Sequence, residues 1–187
     1  MSDPALEAHE HAEHAEHAAH EANPFISRVT ITIAALAVLA AAAGSMETVE
    51  GGRAITLSSD AVLAQDQATD AWNEYQADSL KRHMYELAAD GGGAHAADYK
   101  KDVTQQRDDQ ETARKKAEEA EKERDVRLHE SAVHEERHHW LTGSATLIEI
   151  GIALSTVAII TKRMPFWLGA MGLGLVGLAL FAGAYLI

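Results

Sequence analysis

Cysteine is absent from this 187-residue chain, proline occurs three times, and aromatic residues make up only 5% of it. Without cysteine there is no disulfide, no thiolate nucleophile and no thiolate-ligated metal, and the redox compartment is left open. So few prolines and aromatics beside abundant alanine favour helices over sheets. Positive charge is also scarce: 16 Lys and Arg stand against 29 Asp and Glu, for a net charge of −13. Such a surface repels a phosphate backbone instead of releasing its counterions, which sets nucleic acid aside as a partner.

What the chain does have is segregation. Hydrophobic residues make up 47% and charged residues 24%, and the two are kept apart along the sequence, a pattern of membrane and water rather than of one soluble core. Residues 29–46 form an uninterrupted apolar run, 141–161 a second broken only by Glu149, and 165–187 a third. Each reaches the ~20 residues needed to cross a bilayer core, and lipid, which cannot satisfy exposed backbone groups, requires them to be helical. An acidic, His-rich tail precedes the first run where a signal peptide would have a short basic region, so the run is read as a retained anchor. Arg28 and the pair Lys162-Arg163 flank the spans and belong in the cytoplasm. The N-terminus is then cytoplasmic, with residues 47–140 and the C-terminus periplasmic or extracellular.

The expected fold is an all-α membrane protein with three transmembrane helices and a long antiparallel helical, coiled-coil hairpin between the first and second. Its parts are a tail over 1–24, spans over 25–46, 141–161 and 165–187, an extramembrane hairpin over 47–140, and a short basic loop over 162–164. Asp90-Gly91-Gly92-Gly93 breaks the middle stretch near its midpoint, so its arms turn at 90–95 and reach roughly 60 Å if fully helical. Gly51-Gly52 is a second candidate break. Ala61, Ala64, Ala68, Ala71 and Tyr75 alternate at three and four, as do Val103, Gln106, Gln110, Ala113, Ala117 and Ala120, which is the spacing of a coiled-coil seam. Small residues bury little area, which favours sharing the seam with partners. Trp72, Tyr75, Leu80 and Met84 form a broader apolar face, either packed within the chain or anchoring an oligomer or another membrane protein.

Three polar features carry the chemistry. His134-Glu135-Glu136-Arg137-His138 spells HExxH, which places two histidines on one helical face. In zinc proteases the variable positions are usually apolar and a third ligand comes from elsewhere in the fold; here they are Glu136 and Arg137, on a helix running directly into an apolar span, so a protease is set aside. The hairpin brings His134 and His138 opposite Glu47 and Glu50, a set that suits a divalent cation; the reading adopted is instead a polar layer at the lipid surface with Trp140 as belt residue. In the tail, Glu7, Glu10, Glu13 and Glu16 each stand four residues before His11, His14, His17 and His20, the favourable helical orientation. A pH- or metal-responsive tail and a plain solvated extension both fit.

The third feature is Glu149, near the middle of its span, where a carboxylate needs a partner. Thr142, Thr146, Glu149, Ala153 and Thr156 make one small, polar stripe, and the other spans offer no side-chain donor at that depth. Glu149 therefore bonds a carbonyl, water, lipid or an oligomer partner, or else lines a path for ions or protons.

The order of these parts, with Ala71-Trp72-Asn73-Glu74-Tyr75-Gln76-Ala77, then Ser79-Leu80-Lys81, and the closing pair of spans around Lys162-Arg163, resembles a bacterial membrane family known as domain of unknown function 4337. The resemblance implies a bacterial inner-membrane protein and supplies no activity, ligand or catalytic residue. Two functions are expected: a non-enzymatic oligomeric scaffold acting through its hairpin, with no cofactor, or a channel or transport subunit with a path along Glu149. No cleft, no nucleophile with a base, and no phosphate-binding loop point to an enzyme.

Overall fold

The structure is a computed structural model that describes residues 24–186. It contains three helices: α1 over Pro24–Asp90, α2 over Ala96–Thr161 and α3 over Met164–Gly183, with no strand among the described residues. Pro24 opens α1 at a position where its missing N–H costs nothing. The helix then runs for 67 residues, straight through Gly51-Gly52. Two glycines lower helix propensity by about 1 kcal/mol each relative to alanine, but they keep their backbone donors, so the ladder is weakened there and not cut. The expected break at that pair is therefore absent.

The ending of α1 differs in kind. Gly92 and Gly93 have φ of 74° and 109°, the left-handed region that β-carbons disfavour, so the chain reverses there. Gly91 N–H donates to the Leu87 carbonyl at 3.1 Å and Gly92 N–H to that of Ala89 at 3.3 Å, satisfying carbonyls the helix leaves free. Between α2 and α3 the reversal takes two residues, with Lys162 at φ 53° and Arg163 extended ahead of Pro165 in the first turn of α3. α3 ends at Gly183, and residues 184–186 continue as a turn where the sequence suggested span to 187.

The chain divides into two compact units, one of Glu50–Glu135 and the other of the segments up to Val49 and from Glu136. In the first, α1 and α2 pair along a seam of alanines: Ala54, Ala61, Ala64, Ala68 and Ala71 on one arm, Ala113, Ala117 and Ala120 on the other, all 9% exposed or less. Contacts of Trp72 with Glu121, Gln65 with Arg124 and Ala54 with Ser131 show the arms antiparallel, since one number rises as the other falls. Polar residues interrupt the seam: Asp78 holds Lys81 at 2.9 Å, and Gln110 accepts from Arg82 at 2.9 Å.

In the second unit the buried side chains are Val29, Leu36 and Ala43 of α1, Leu141, Ser144, Ile148, Ser155 and Ala158 of α2, and Ala170 of α3. Glycine sets how near the helices come. A β-carbon on Gly177 would lie 2.7 Å from Ile148 Cγ1 and 3.0 Å from the Ser144 carbonyl, and the Ser144 hydroxyl donates to the Gly177 carbonyl at 2.7 Å. Gly172 faces open space. Gly177→Ala is therefore expected to destabilise the protein by about 1–3 kcal/mol through overpacking against backbone, with Gly172→Ala close to neutral. Unfolding of both variants in detergent checks this.

Candidate functional site

Helix α2 turns two unlike faces along its apolar part. Ser144, Ile148, Gly151, Ser155 and Ala158 recur at four and three and are buried against α1 and α3. Thr146, Glu149, Ala153 and Thr156 recur at the same spacing on the opposite face and are exposed. The hydroxyls of Thr146 and Thr156 donate back to the carbonyls of Thr142 and Ile152, at 2.8 and 3.2 Å, which is how a helix disposes of a hydroxyl that has no other acceptor. Glu149 has no such recourse. Its carboxyl makes no hydrogen bond or ion pair among the described residues, and it stands some 14 Å along the helix from Trp140 at 1.5 Å per residue.

Thr142, which the sequence groups with that stripe, belongs elsewhere. It is half-buried, and its hydroxyl donates to Glu47 Oε1 of α1 at 2.7 Å and to the His138 carbonyl at 2.9 Å. His138 points its Nδ1 at the Glu47 carbonyl, 3.1 Å away. Ser144 and Ser155, the polar residues of the inner face, are missed by the sequence reading; their 4-3-4-3 spacing with Ile148, Gly151 and Ala158 is the signal that marks them. Ser155 is fully buried and its hydroxyl has no partner.

At the base of the hairpin unit, Glu50 is 4% exposed and its carboxylate meets His134 Nδ1 at 2.5 Å, with Arg53 Nη1 3.9 Å from its second oxygen. One turn on, the Ser131 hydroxyl donates to the Ala54 carbonyl at 2.8 Å. The HExxH histidines thus serve as separate cross-links, His134 to a carboxylate and His138 to a backbone carbonyl. No three His, Asp or Glu side chains converge to hold an ion among the described residues, Glu47, Glu50, His134 and His138 included. The tail histidines His11, His14, His17 and His20 lie outside the described residues.

Farther along the hairpin, the Trp72 indole N–H donates to Glu121 at 2.9 Å and its ring meets Tyr75 edge-on at 5.5 Å, so both aromatics are held by intrachain contacts. Leu80 and Met84 are 65% and 62% exposed, and with Leu87 they form an apolar strip at four-and-three spacing that nothing among the described residues covers. Charges flank the arms as local pairs. Hydrogen bonds from Arg114 hold the Glu111 carboxyl below its ordinary value, and the same bonds raise Arg114. The bond to Asp78 likewise raises Lys81.

Aromatic residues mark both ends of the three-helix unit. Phe25 and Trp167 meet edge-on at 6.3 Å, and the Trp167 indole donates to the Thr32 hydroxyl at 3.0 Å. At the opposite end Trp140 lies against Gly183, the Tyr185 hydroxyl donates to Met46 Sδ at 3.3 Å, and Arg137 stands 6.0 Å over the Tyr185 ring. Along α2 the stretch from Trp140 to Thr161 measures roughly 32 Å, close to the hydrocarbon thickness of a bilayer. All three helices are long and apolar enough to cross a membrane.

The family described as Domain of unknown function (DUF4337) matches residues 25–187. The chain belongs to that family. The DUF4337 match takes in nearly the whole of α1, both turns, and all of α2 and α3, and leaves out the His-rich tail. Comparison with curated proteins and with solved structures finds no match.

The buried Glu50–His134 contact yields a direct test. Glu50→Ala and His134→Ala are each expected to cost about 1–3 kcal/mol, because each leaves the partner side chain without its hydrogen bond. The double variant should lose less than the sum, with a coupling of about 1 kcal/mol in a double-mutant cycle followed by circular dichroism; additive losses would mean the contact contributes nothing.

Proposed function

We propose that this DUF4337 protein is a non-enzymatic, oligomeric scaffold of the bacterial inner membrane. In this reading the three apolar helices cross the bilayer with the N-terminus and Lys162-Arg163 in the cytoplasm, and the hairpin presents an assembly surface on the other side. The positions of Phe25 with Trp167 and of Trp140 with Tyr185 support the crossing, since amphipathic rings favour the two membrane surfaces.

The observation that carries the reading is the outward, unpartnered carboxyl of Glu149. An ionisable group at such a depth costs about 3 kcal/mol on insertion scales, and hydrocarbon offers it nothing to bond. A carboxyl both donates and accepts, so two copies of this face complement each other. Thr146, Ala153 and Thr156 keep the surroundings small enough for close approach. The exposed strip of Leu80, Met84 and Leu87 supplies a second contact of the same kind outside the membrane.

A second reading draws on the same stripe. If several copies turn it toward a common axis, Thr146, Glu149 and Thr156 line a path, and the protein is a channel or transport subunit.

The two readings separate on Glu149. A scaffold keeps its stoichiometry by native mass spectrometry in Glu149→Gln, falls toward monomer in Glu149→Leu, and passes no current in liposomes. A conducting wild type whose selectivity or pH dependence changes in Glu149→Gln supports the channel instead. A wild-type protein that is monomeric across detergent concentrations, or a Glu149→Leu variant with unchanged copy number, sinks the assembly reading altogether.

A further inference from the structure

Three cations, Arg28, Lys162 and Arg163, stand at the Phe25–Trp167 end of the three-helix unit. Arg28 stands one turn before Thr32, whose hydroxyl donates to the Arg28 carbonyl at 2.9 Å and accepts from the Trp167 indole at 3.0 Å. Trp167 in turn sits in the first turns of α3, directly after Lys162 and Arg163. None of the three makes an ion pair among the described residues, although most other Lys and Arg side chains on the helices have an acidic neighbour. The start of α3 adds to them. Its leading residue Arg163 makes no side-chain cap, so the free N–H groups of a 20-residue helix present their partial positive charge at the same level.

Directly below this cluster, a groove of about 280 Å³ runs between α1 and α3. Thr32, Ala35 and Leu39 continue the face of α1 that carries Arg28, and Met171, Leu175 and Leu178 form the facing wall. Gly174 lines it as well, where a β-carbon would collide with Leu36. From Ile31 to Leu39 the groove is ~12 Å long, and its apolar lining suits part of one hydrocarbon chain.

We propose that this end of the protein binds one anionic phospholipid, its phosphate held by Arg28, Lys162, Arg163 and the α3 N-terminus, and one acyl chain lying in the α1–α3 groove. The inference rests on the reading that the helices cross a membrane, and not on assembly. Cations placed at headgroup depth above an apolar slot complement an amphiphile that is negative at one end and hydrocarbon at the other. A zwitterionic lipid offers the same chain and phosphate, but its own ammonium group competes with the three side chains.

The test is native mass spectrometry of the full chain in mild detergent, titrated with phosphatidylglycerol, with phosphatidylcholine, or with inorganic phosphate. One retained phosphatidylglycerol per chain is expected, at about tenfold higher occupancy than phosphatidylcholine, with no retention of phosphate alone. The Arg28→Gln, Lys162→Gln, Arg163→Gln variant should lose that preference, and Ala35→Phe, which fills the slot from an exposed position, should lower retention of both lipids. Equal retention of the two lipids by wild type overturns the proposal, as does phosphatidylglycerol retention that is unchanged in Ala35→Phe. A fall in copy number in Ala35→Phe, with lipid retention unchanged, means that a second copy covers the groove and also overturns it. Copy number is read in the same spectra, so a monomer that keeps its lipid counts against assembly alone, and an oligomer without lipid counts against this site alone.

Discussion

How near two helix backbones can come is decided by the side chains between them, and in this protein most of those side chains are small, with Val29, Leu36, Leu141 and Ile148 the larger ones. Alanines line the hairpin seam on both arms, and glycines and serines line the contacts among α1, α2 and α3. The hydrophobic yield of such contacts is low, since a methyl group removes little area from water. What they gain is backbone proximity: Ser144 reaches a carbonyl on α3, and Ser131 reaches one on α1. The polar cross-links are thus a product of the small residues, because only helices lying this close let a one-carbon side chain bond across the gap.

The same economy leaves the large apolar residues on the outside. Ile31, Val38, Ile160, Leu168 and Leu175 are exposed on the three-helix unit, whose helices are long and apolar enough to cross a membrane. On the hairpin the exposed strip of Leu80, Met84 and Leu87 lies outside the three apolar runs of the sequence, which sets it apart from the rest. Glu149 among exposed apolar residues and Leu80, Met84 and Leu87 among exposed charged ones are inverse anomalies.

Much of this was legible in the sequence because it depends on spacing alone. Alanines at 61, 64, 68 and 71 and at 113, 117 and 120 fix a seam wherever two helices meet, and three apolar runs declare three helices. The turn at Gly92 and Gly93 was legible because consecutive glycines combine low helix propensity with access to positive φ. Gly51-Gly52 reads alike yet stays helical, since nothing there requires the chain to reverse. The rotation of each helix about its axis was not legible. Thr142 and Thr146 are one turn apart, and only the position of α1 decides that the first bonds Glu47 while the second faces outward. Nor could spacing say that Trp72 and Tyr75 would be held within the chain while Leu80 and Met84 stay uncovered. Nor could it say that His134 would meet Glu50 and His138 a backbone carbonyl.

An alanine seam by itself is a ruler with identical markings. Slide one arm past the other by seven residues and methyl groups meet methyl groups again, at nearly unchanged energy. Gln110, Ser131 and Glu50 are the numbered divisions: each is buried and bonds across to the other arm in this alignment, and a slide would strand several of them at once. The sparse polar groups in the seam therefore select a single alignment from a degenerate set, although they contribute little to the adhesion of the arms.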